Sequence, residues 1–317
     1  MCIRDSTKAE IISPANDGSY EDITGGATTK FRTNTWKGFV IHGLFRKLLQ
    51  ERRPYELVEG ATNRVYSQAM DNLIECIEND GKNIKSMLRA SAEAFNEIPM
   101  ANGMRKPVVS IVGEIFMRDN SFCNGFIIEN LEKLGAETLI APFYEWLTYS
   151  TYRYIRDSKW KGDRKGLMKA KIQELLQNFT SNQLLKVVED LIDHDKEISI
   201  KEILESCEPY VHKDYDGDPP LALGTAKILA NKNISGVANI LPFTCMPGTL
   251  ICAVSSSFRK DHNSIPWVDY AYDGQDDPSN STRLQAFMHQ VYEYSRMHGF
   301  NKPQGWHIHD LVNEERG

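Results

Sequence analysis

One cysteine lies where two patterns of apolar residues meet. Residues 236–243 form an apolar run that predicts a strand, residues 250–259 have the pattern of a helix, and Cys245 lies between them in Phe-Thr-Cys-Met-Pro-Gly-Thr. A thiol at the start of a helix meets the positive end of the helix dipole and free backbone N–H groups, which favour the thiolate. Open α/β sheets bind ligands at the carboxyl ends of their strands. The position predicts a metal ligand or a nucleophile, with an inert buried thiol as the alternative.

The other five cysteines offer Cys245 no obvious partner. The six positions are 2, 76, 123, 207, 245 and 252, without the paired spacing of a disulfide framework. Cys252 stands seven residues after Cys245, about 10 Å along a helix, which is too far to share one iron or zinc ion. We therefore expect Cys252 in the core, and Cys76 and Cys207 as structural residues of helices. Cys123 follows the first predicted strand, where it either approaches Cys245 across the sheet or serves as a small residue near a helix start.

Charged residues also follow two of the predicted strands. Glu114 ends the first strand and Asp273 ends the last, so both are candidates for acid–base or ligand-orienting groups. Glu114 has the alternatives of capping a helix or pairing with Arg118. Arg283 has the choice of pairing with Asp273 or gripping a phosphate. The sequence contains neither a Walker A motif nor Gly-x-Gly-x-x-Gly, so it indicates no nucleotide site.

A histidine pair lies near the end of the chain. His307 and His309 have the spacing of two metal ligands, but they lie in a polar tail with no further ligand nearby. We expect them to be inert.

The pattern of the chain from residue 106 onward is that of an α/β protein. Strands are predicted at 108–112, 137–141, 236–241 and 265–271, and helices at 124–134, 220–230, 250–259 and 282–297. A strand–helix–strand unit implies a right-handed crossover and parallel strands. We expect a Rossmann-like or flavodoxin-like parallel-sheet lobe over residues 106–300, with a tail at 301–317.

Two helical segments accompany this lobe. Apolar residues recur at helical spacing over 36–50, with a stop at 53–56, and again over 61–97, so residues 7–105 are expected to be the remnant of an upstream lobe plus a helical segment. Residues 146–206 predict a helical insertion in the α/β lobe. There the capping boxes Thr180/Gln183 and Ser199/Glu202 predict helix starts. The stripes that we expect to bury one face are Ile172, Leu175, Leu176 and Phe179, then Leu184, Leu185, Val188 and Leu191.

Composition excludes several classes of protein. The chain has 317 residues, 41% of them hydrophobic, and a net charge of −6. An acidic chain without a long basic run is not typical of nucleic-acid binding, and the longest apolar stretches are far shorter than a membrane span. Scattered cysteines and the lack of a signal peptide favour the cytoplasm.

Residues 1–6 resemble one reading frame of a transposon-end sequencing adapter. We expect them to be foreign to the native protein, with its true N-terminus lying upstream.

Several segments, taken in order, resemble a known family. The most specific are Cys-Met-Pro-Gly-Thr at 245–249, Asp-Gly-Gln at 273–275 and Thr-Arg-Leu-Gln-Ala-Phe at 282–287. The others lie at residues 53–56, 112–118, 141–147, 221–224 and 265–267. Together they resemble the C-terminal part of 2-hydroxyacyl-CoA dehydratase activase-related proteins, also called CoA-substrate-specific enzyme activases, a part that is similar to the dehydratase subunits. The resemblance covers roughly residues 36–297.

The resemblance implies an iron–sulfur redox component. Subunits of this type bind a [4Fe-4S]-type cluster through cysteines at the junction of two α/β lobes, and a separate ATPase module drives electrons to it. By the resemblance, Cys245 is the last protein ligand, and the other ligands come from an upstream lobe that is missing from this chain, as is the ATPase module. Relatives often carry a small residue at the position of Cys123, which argues against Cys123 as a ligand.

These inferences lead to one expected function and one alternative. We expect a C-terminal fragment of a redox component that activates, or resembles, a 2-hydroxyacyl-CoA dehydratase and works by one-electron transfer. With one ligand, the fragment should not hold a cluster tightly by itself. The partners would be the missing lobe, the ATPase module and an acyl-CoA dehydratase, with neither nucleic acid nor membrane. The alternative is a docking or assembly module with the same fold and no cluster.

Overall fold

The computed structural model describes residues 28–101, 103–191, 198–232, 234–274 and 279–300. The predictions for Cys2, for residues 1–6, for His307 and His309 and for the tail therefore lie outside the described residues. Most of the segment before residue 34 lies outside them as well.

Four parallel strands form the predicted sheet. They are β1 (Val108–Gly113), β2 (Glu137–Ile140), β3 (Gly236–Pro242) and β4 (Trp267–Tyr272), in the order β2-β1-β3-β4. The register places Ile111 beside Ile140 on one side and Ala238 on the other, and Ala238 beside Val268. The mixed α/β fold with an all-parallel sheet is confirmed, in agreement with a Rossmann-like or flavodoxin-like lobe.

Eleven α-helices are described. They are α1 (Thr28–Arg52), α2 (Ala61–Glu78), α3 (Ile84–Asn96), α4 (Ile115–Asp119), α5 (Ile127–Lys133), α6 (Tyr144–Lys161), α7 (Arg164–Val188), α8 (Ile200–Cys207), α9 (Asp218–Ala230), α10 (Met246–Asp261) and α11 (Ser279–Met297). A short 3₁₀ turn at Arg53–Tyr55 ends α1 where the Arg-Pro-Tyr-Glu stop was predicted. None of the described helices combines the length and the apolarity needed to cross a membrane.

The sheet is covered on both faces, which explains the apolar character of its central strands. Val108 and Val112 of β1 pack with buried residues of α9 and α10, whereas Val109 and Ile111 pack with α5 and α11. Alternate residues of a strand point to opposite faces. All six residues of β1 are buried, as is usual for a parallel strand between two helical layers.

A third core lies beside the sheet, in the helical part of the chain. Helices α1, α2 and α3 bury a cluster that includes Phe45, Leu88 and Phe95, and Leu184 and Val188 of α7 complete it. The predicted insertion therefore packs against the N-terminal helices as well as against the α/β lobe.

One predicted stripe on α7 is wrong. Ile172, Leu175, Leu176 and Phe179 were expected to be buried, but they are 51%, 68%, 59% and 63% exposed. The other stripe is confirmed, because Leu184 and Val188 are buried and Leu185 and Leu191 pack against them. The periodicity located a helix with an apolar face but could not show which face the neighbouring helices cover.

The two predicted capping boxes have different outcomes. The Oγ of Ser199 accepts a hydrogen bond from the backbone N–H of Glu202, so α8 begins as predicted. Thr180 and Gln183, however, lie inside α7, which continues from Arg164 to Val188. A Thr-x-x-Gln pattern can thus occur inside a long helix as well as at a helix start.

Candidate functional site

The central strands β1 and β3 define the candidate site. The chain leaves β1 toward β2 on one side, whereas β3 leads to β4 on the other, so the carboxyl ends of β1 and β3 form the switch point where α/β sheets bind ligands. The two ends lie very close. Gly113 has a φ of +116°, the N–H of Glu114 donates to the carbonyl of Ile240 at 2.9 Å, and a Cβ at Gly113 would lie 2.0 Å from that oxygen. Glycine is required at this position.

Cys245 lies where the sequence predicts it, at the start of a helix after β3. It is the N-cap of α10, and its Sγ accepts a hydrogen bond from the N–H of Gly248 at 3.5 Å. Its side chain is half-buried, whereas Phe243 and Met246 on either side are 64% and 70% exposed. The thiol thus stands at the positive end of α10, at the edge of the protein interior.

Close packing and backbone conformation restrict which residue types fit around Cys245. A Cβ on Gly248 would lie 2.7 Å from the side chain of Leu241, so the helix can pass this close to β3 only with glycine there. Pro247 occupies the first turn of α10, where its missing N–H costs nothing. Thr244 has a φ of +66°, an unusual conformation for a β-branched residue. Strain of this kind is concentrated at functional sites.

Two of the other described cysteines, Cys76 and Cys207, are buried in helices, as predicted. The Sγ atoms of Cys76 and Cys207 donate to the carbonyls of Lys82 and Leu204, and burial raises the pKa of both thiols, that of Cys207 to about 12. Burial also raises the pKa of Cys252 to about 12, with a further contribution from Asp269.

Cys252 differs in detail from the expectation, whereas the position of Cys123 leaves both of its alternatives open. Cys252 is half-buried rather than fully in the core, and its Sγ accepts a weak hydrogen bond from Asn239 Nδ2 at 3.5 Å. Cys123 lies on the carboxyl edge in a half-buried position, where it packs in the same apolar cluster as Tyr272. Among the described residues, no group of three or more His, Cys, Asp or Glu side chains has an arrangement that could hold a metal ion.

Of the three charged candidates, Glu114 and Arg283 make local structural contacts. Glu114 caps α4, because its Oε2 accepts a hydrogen bond from the N–H of Met117 at 2.8 Å. Arg283 donates to the carbonyl of Asp269 at 2.8 Å and lies over the ring of Tyr270. Asp273 follows β4 on the same edge and is exposed.

A buried charged cluster beside Glu114 was missed by the sequence reasoning. Arg118 and Asp218 are only 3% and 8% exposed. Arg118 Nε, Asp218 Oδ1 and Glu145 Oε1 are buried without a hydrogen-bond partner among the described residues. These groups come from α4, α9 and α6, so the cluster joins three helices at the switch point. Glu145 and Asp218 lie in the first turns of their helices, and this position was the available signal.

The carboxyl groups of this cluster hold protons more tightly than usual. Burial raises the pKa of Glu145 to about 7, although the Arg118 guanidinium partly opposes this. Burial likewise raises the pKa of Asp218 to about 6, with Arg118 lowering it and Glu114 raising it further.

Arg46 of α1 donates to the Arg118 carbonyl at 2.9 Å and pairs with Asp119. The β1 end is therefore tied to the helical part of the protein.

A rim of exposed apolar side chains surrounds the carboxyl edge. Its members are Phe116, Phe122, Phe126, Phe243 and Met246, between 51% and 83% exposed. The two sides of the rim meet at Tyr272. Its ring lies against Gly125, and its backbone carbonyl accepts a hydrogen bond from the N–H of Phe243 at 2.8 Å. Large exposed apolar patches are typical of surfaces at which another molecule binds.

Comparisons of this chain with protein-family models, with curated proteins and with solved structures gave no match.

Proposed function

We propose that this protein is the cluster-bearing half of an iron–sulfur redox component of the 2-hydroxyacyl-CoA dehydratase type. In this proposal Cys245 provides one thiolate to a [4Fe-4S]-type cluster. The remaining ligands come from a second α/β lobe that docks on the carboxyl edge, and a separate ATPase module supplies electrons. An acyl-CoA dehydratase would be the downstream partner, and thiolate ligation would suit a reducing, cytoplasmic location.

The position of Cys245 is the observation that carries the proposal. Its sulfur is half-buried at the switch point, at the positive end of α10, and the N–H of Gly248 donates to it. Hydrogen bonds to ligand sulfurs and partial exclusion of water are the means by which proteins tune iron–sulfur centres. By contrast, the thiols of Cys76 and Cys207 donate to backbone carbonyls, and burial raises the pKa of the Cys252 thiol.

The described residues do not by themselves fit a complete cluster site. A [4Fe-4S] cluster is held by four cysteine thiolates. At this edge the described residues bring Cys245 and Cys123, and they include no metal-binding group of three or more ligands. We therefore assign no electron-transfer step to this chain alone. Its own contribution is a thiolate, a hydrogen bond to the sulfur and an apolar surface around it.

The apolar rim supports the need for a second lobe. Phe122 and Met246 are 83% and 70% exposed, on opposite sides of the edge that carries Cys245. Burying such side chains stabilises an interface by about 25 cal/mol per Å² before the costs of association. A lobe docked there would enclose the sulfur and exclude water from it.

Anaerobic reconstitution with iron and sulfide tests the assignment of Cys245. We expect less than one cluster per chain, and we expect the bound iron and its visible absorption to disappear in Cys245→Ser but to persist in Cys123→Ser. Iron and absorption that survive Cys245→Ser would refute Cys245 as a ligand. Loss of the iron in Cys123→Ser as well would add Cys123 to the site.

The same rim also favours the second candidate, a docking module without a cluster. The rim needs a partner whether or not iron is present, and the incomplete ligand set is what such a module would show. On this alternative, reconstitution gives the same small amount of iron in the parent chain, Cys245→Ser and Cys123→Ser. The reconstitution experiment therefore separates the two functions.

A further inference from the structure

Basic side chains are concentrated where α6 turns into α7. The exposed basic residues between positions 159 and 171 are Lys159, Lys161, Arg164, Lys165, Lys169 and Lys171. In the part of the chain that the structure describes, none of these six forms an ion pair. The chain as a whole has a net charge of −6, so its composition conceals this local excess of positive charge. We call the six residues together with Trp160 the basic tip.

The acidic residues near the basic tip are engaged in other contacts or are half-buried. Asp163 caps α7, because its Oδ1 accepts a hydrogen bond from the N–H of Gly166 at 3.0 Å. Glu174, the one acidic residue of α7, is half-buried. Three further acidic residues pair with arginines that are not part of the tip, in the pairs Asp157–Arg156, Asp214–Arg156, Asp216–Arg156 and Asp216–Arg153. With all of these counted, basic residues still outnumber acidic ones in this region, by eight to five.

Trp160 gives the tip a large apolar group in the middle of the charges. Its side chain is 67% exposed, and the guanidinium of Arg156 lies over its ring, 4.7 Å from the ring centroid. Lys159 and Lys161 are its neighbours in sequence. Tryptophan is enriched at the interface between a membrane and water, where its ring can lie among lipid headgroups.

The first turns of α7 combine apolar and basic residues in a defined order around the helix. Met168 and Ile172 are 61% and 51% exposed, and a rotation of about 100° per residue places them opposite the buried Gly166 and Ala170. The basic residues flank this apolar pair, with Lys165 and Lys169 on one side and Arg164 and Lys171 on the other, each within about 80° of its centre. Helices that lie on membrane surfaces have this arrangement.

We propose that the basic tip docks on the surface of a membrane that contains anionic phospholipid. Clusters of four to eight Lys and Arg residues on a helix with an apolar side are typical of phosphatidylserine-binding segments. The flanking lysines would reach the lipid phosphates while Met168, Ile172 and Trp160 enter the boundary of the acyl chains. A nucleic acid would use the lysines but would leave Met168 and Ile172 in water. The inference does not depend on the proposed redox function.

The charges determine how such binding should respond to salt. Attraction between basic residues and an anionic surface extends over about 8 Å at 0.15 M salt and over about 3 Å at 1 M. We therefore expect binding that increases with the phosphatidylserine content of the membrane and weakens at high ionic strength. The apolar contacts should be much less sensitive to salt.

Co-sedimentation of the full chain with lipid vesicles tests the proposal. At about 50 mM NaCl, vesicles with about 30% phosphatidylserine in phosphatidylcholine should bind the chain at least about tenfold more tightly than phosphatidylcholine alone. At about 500 mM NaCl this preference should fall at least about fivefold. A parent chain that ignores the phosphatidylserine vesicles at low salt would overturn the proposal.

Two double variants separate the tip from the net charge of the chain. Lys169→Glu with Lys171→Glu should weaken binding to the phosphatidylserine vesicles by about tenfold or more. The matched control is Lys85→Glu with Lys260→Glu, which makes the same change of charge at exposed positions on α3 and α10 and should bind as the parent does. Since all four positions are exposed, both variants should keep the far-UV circular dichroism of the parent. Equal losses in the two variants would refute the tip as the binding surface.

Met168→Ser tests the apolar part of the contact, because it leaves every charge in place. We expect it to weaken vesicle binding about two- to fivefold, at low and at high salt alike. A 20-base-pair DNA duplex is the competing probe. Equally tight binding of the duplex, lost with Lys169→Glu and Lys171→Glu but unchanged in Met168→Ser, would overturn the proposal in favour of a nucleic-acid surface.

Discussion

The strand-to-helix junctions after β1 and after β3 lie side by side but are built for different purposes. Both have an N-cap whose side chain accepts the N–H three residues later. After β1 the acceptor is the carboxylate of Glu114, at 2.8 Å from Met117 N, and after β3 it is the thiol of Cys245, at 3.5 Å from Gly248 N. An oxygen acceptor is the usual choice for a cap, and a thiol is not. The β3 junction therefore gives up helix stability, which is expected if the thiol is retained for its chemistry.

The two junctions also differ in the polarity and exposure of the residues around them. The β1 junction continues into the cluster of Arg118, Glu145 and Asp218, each with a buried polar atom. The β3 junction is instead flanked by the exposed side chains of Phe243 and Met246. Charge is therefore buried on one side of the switch point and a thiol is left accessible on the other. We expect substitutions at the β1 junction to change stability and those at the β3 junction to change reactivity.

Gly113→Ala should have the largest effect. The new Cβ would lie 2.0 Å from the Ile240 carbonyl at a φ of +116°, so β1 and β3 would have to separate. We expect a loss of about 3 kcal/mol or more in the free energy of unfolding, measured by urea denaturation. Gly248→Ala should cost less, about 1–2 kcal/mol, because it meets the side chain of Leu241 rather than backbone.

Gly103→Ala is the control for both glycines, since nothing lies within 4 Å of a Cβ there. It should change stability by less than about 0.5 kcal/mol. If Gly113→Ala and Gly248→Ala lost the same free energy of unfolding, the two junctions would be equally constrained. The β1 junction would then not be the more important one for stability.

Glu145 should make stability depend on pH near neutrality. Burial raises its pKa to about 7, whereas an unfolded glutamate titrates near 4.3. Between these values the folded state binds more protons than the unfolded state, so stability falls as the pH rises from about 4 to about 7. Arg118 faces Glu145 and opposes the shift, while Asp218, whose pKa is raised to about 6, changes stability in the same direction. Glu114, Arg46 and Asp119 are the remaining charged groups of this cluster.

Glu145→Gln should remove the pH dependence that the Glu145 carboxyl gives to stability, so the difference between the parent chain and this variant measures it. Relative to the variant, the parent chain should lose about 2 kcal/mol of stability between about pH 5 and about pH 7.5 in urea denaturation. Asp218→Asn should remove a smaller part over a lower pH range. Parallel pH profiles for the parent and Glu145→Gln would show that the buried carboxyl titrates normally.

Glu114→Ala should have an intermediate effect, since it removes the cap of a short helix. We expect a loss of about 1 kcal/mol, and a smaller loss for Glu114→Gln, which keeps an acceptor oxygen. The alanine variant should also lower the pKa of Asp218, because the Glu114 charge helps to raise it. A neutral effect of Glu114→Ala on stability would remove the contrast with Cys245.

The sequence located the strands of the sheet and the cysteine at the start of a helix, because these depend on local patterns, whereas the switch point depends on the strand order. Apolar runs mark β1 and β3, and the Cys-Met-Pro-Gly turn reflects steric limits that involve near neighbours such as Leu241. Arg118, Glu145 and Asp218 could not be grouped in advance, since their proximity depends on how three helices pack. Ile172, Leu175, Leu176 and Phe179 were expected to be buried for a related reason: periodicity predicts that a helix has an apolar face but does not show which element covers that face.

Cys245→Ser should have the smallest effect on stability and the opposite sign. A serine oxygen is a better N-cap than a thiol, so we expect α10 and the protein to gain about 0.5 kcal/mol in urea denaturation. Cys252→Ser is the matched control away from a helix start: a serine hydroxyl can keep the hydrogen bonds to Asn239 and Asp269, so stability should change by less than about 0.5 kcal/mol, without the gain of a better cap. In the parent chain, Cys245 should also react with iodoacetamide well before Cys252, whose raised pKa keeps it protonated. A loss of more than about 1 kcal/mol in Cys245→Ser would mean that the thiol packs as part of the fold. The weaker cap would then have a structural cause, and the difference between the two junctions would no longer point to chemistry.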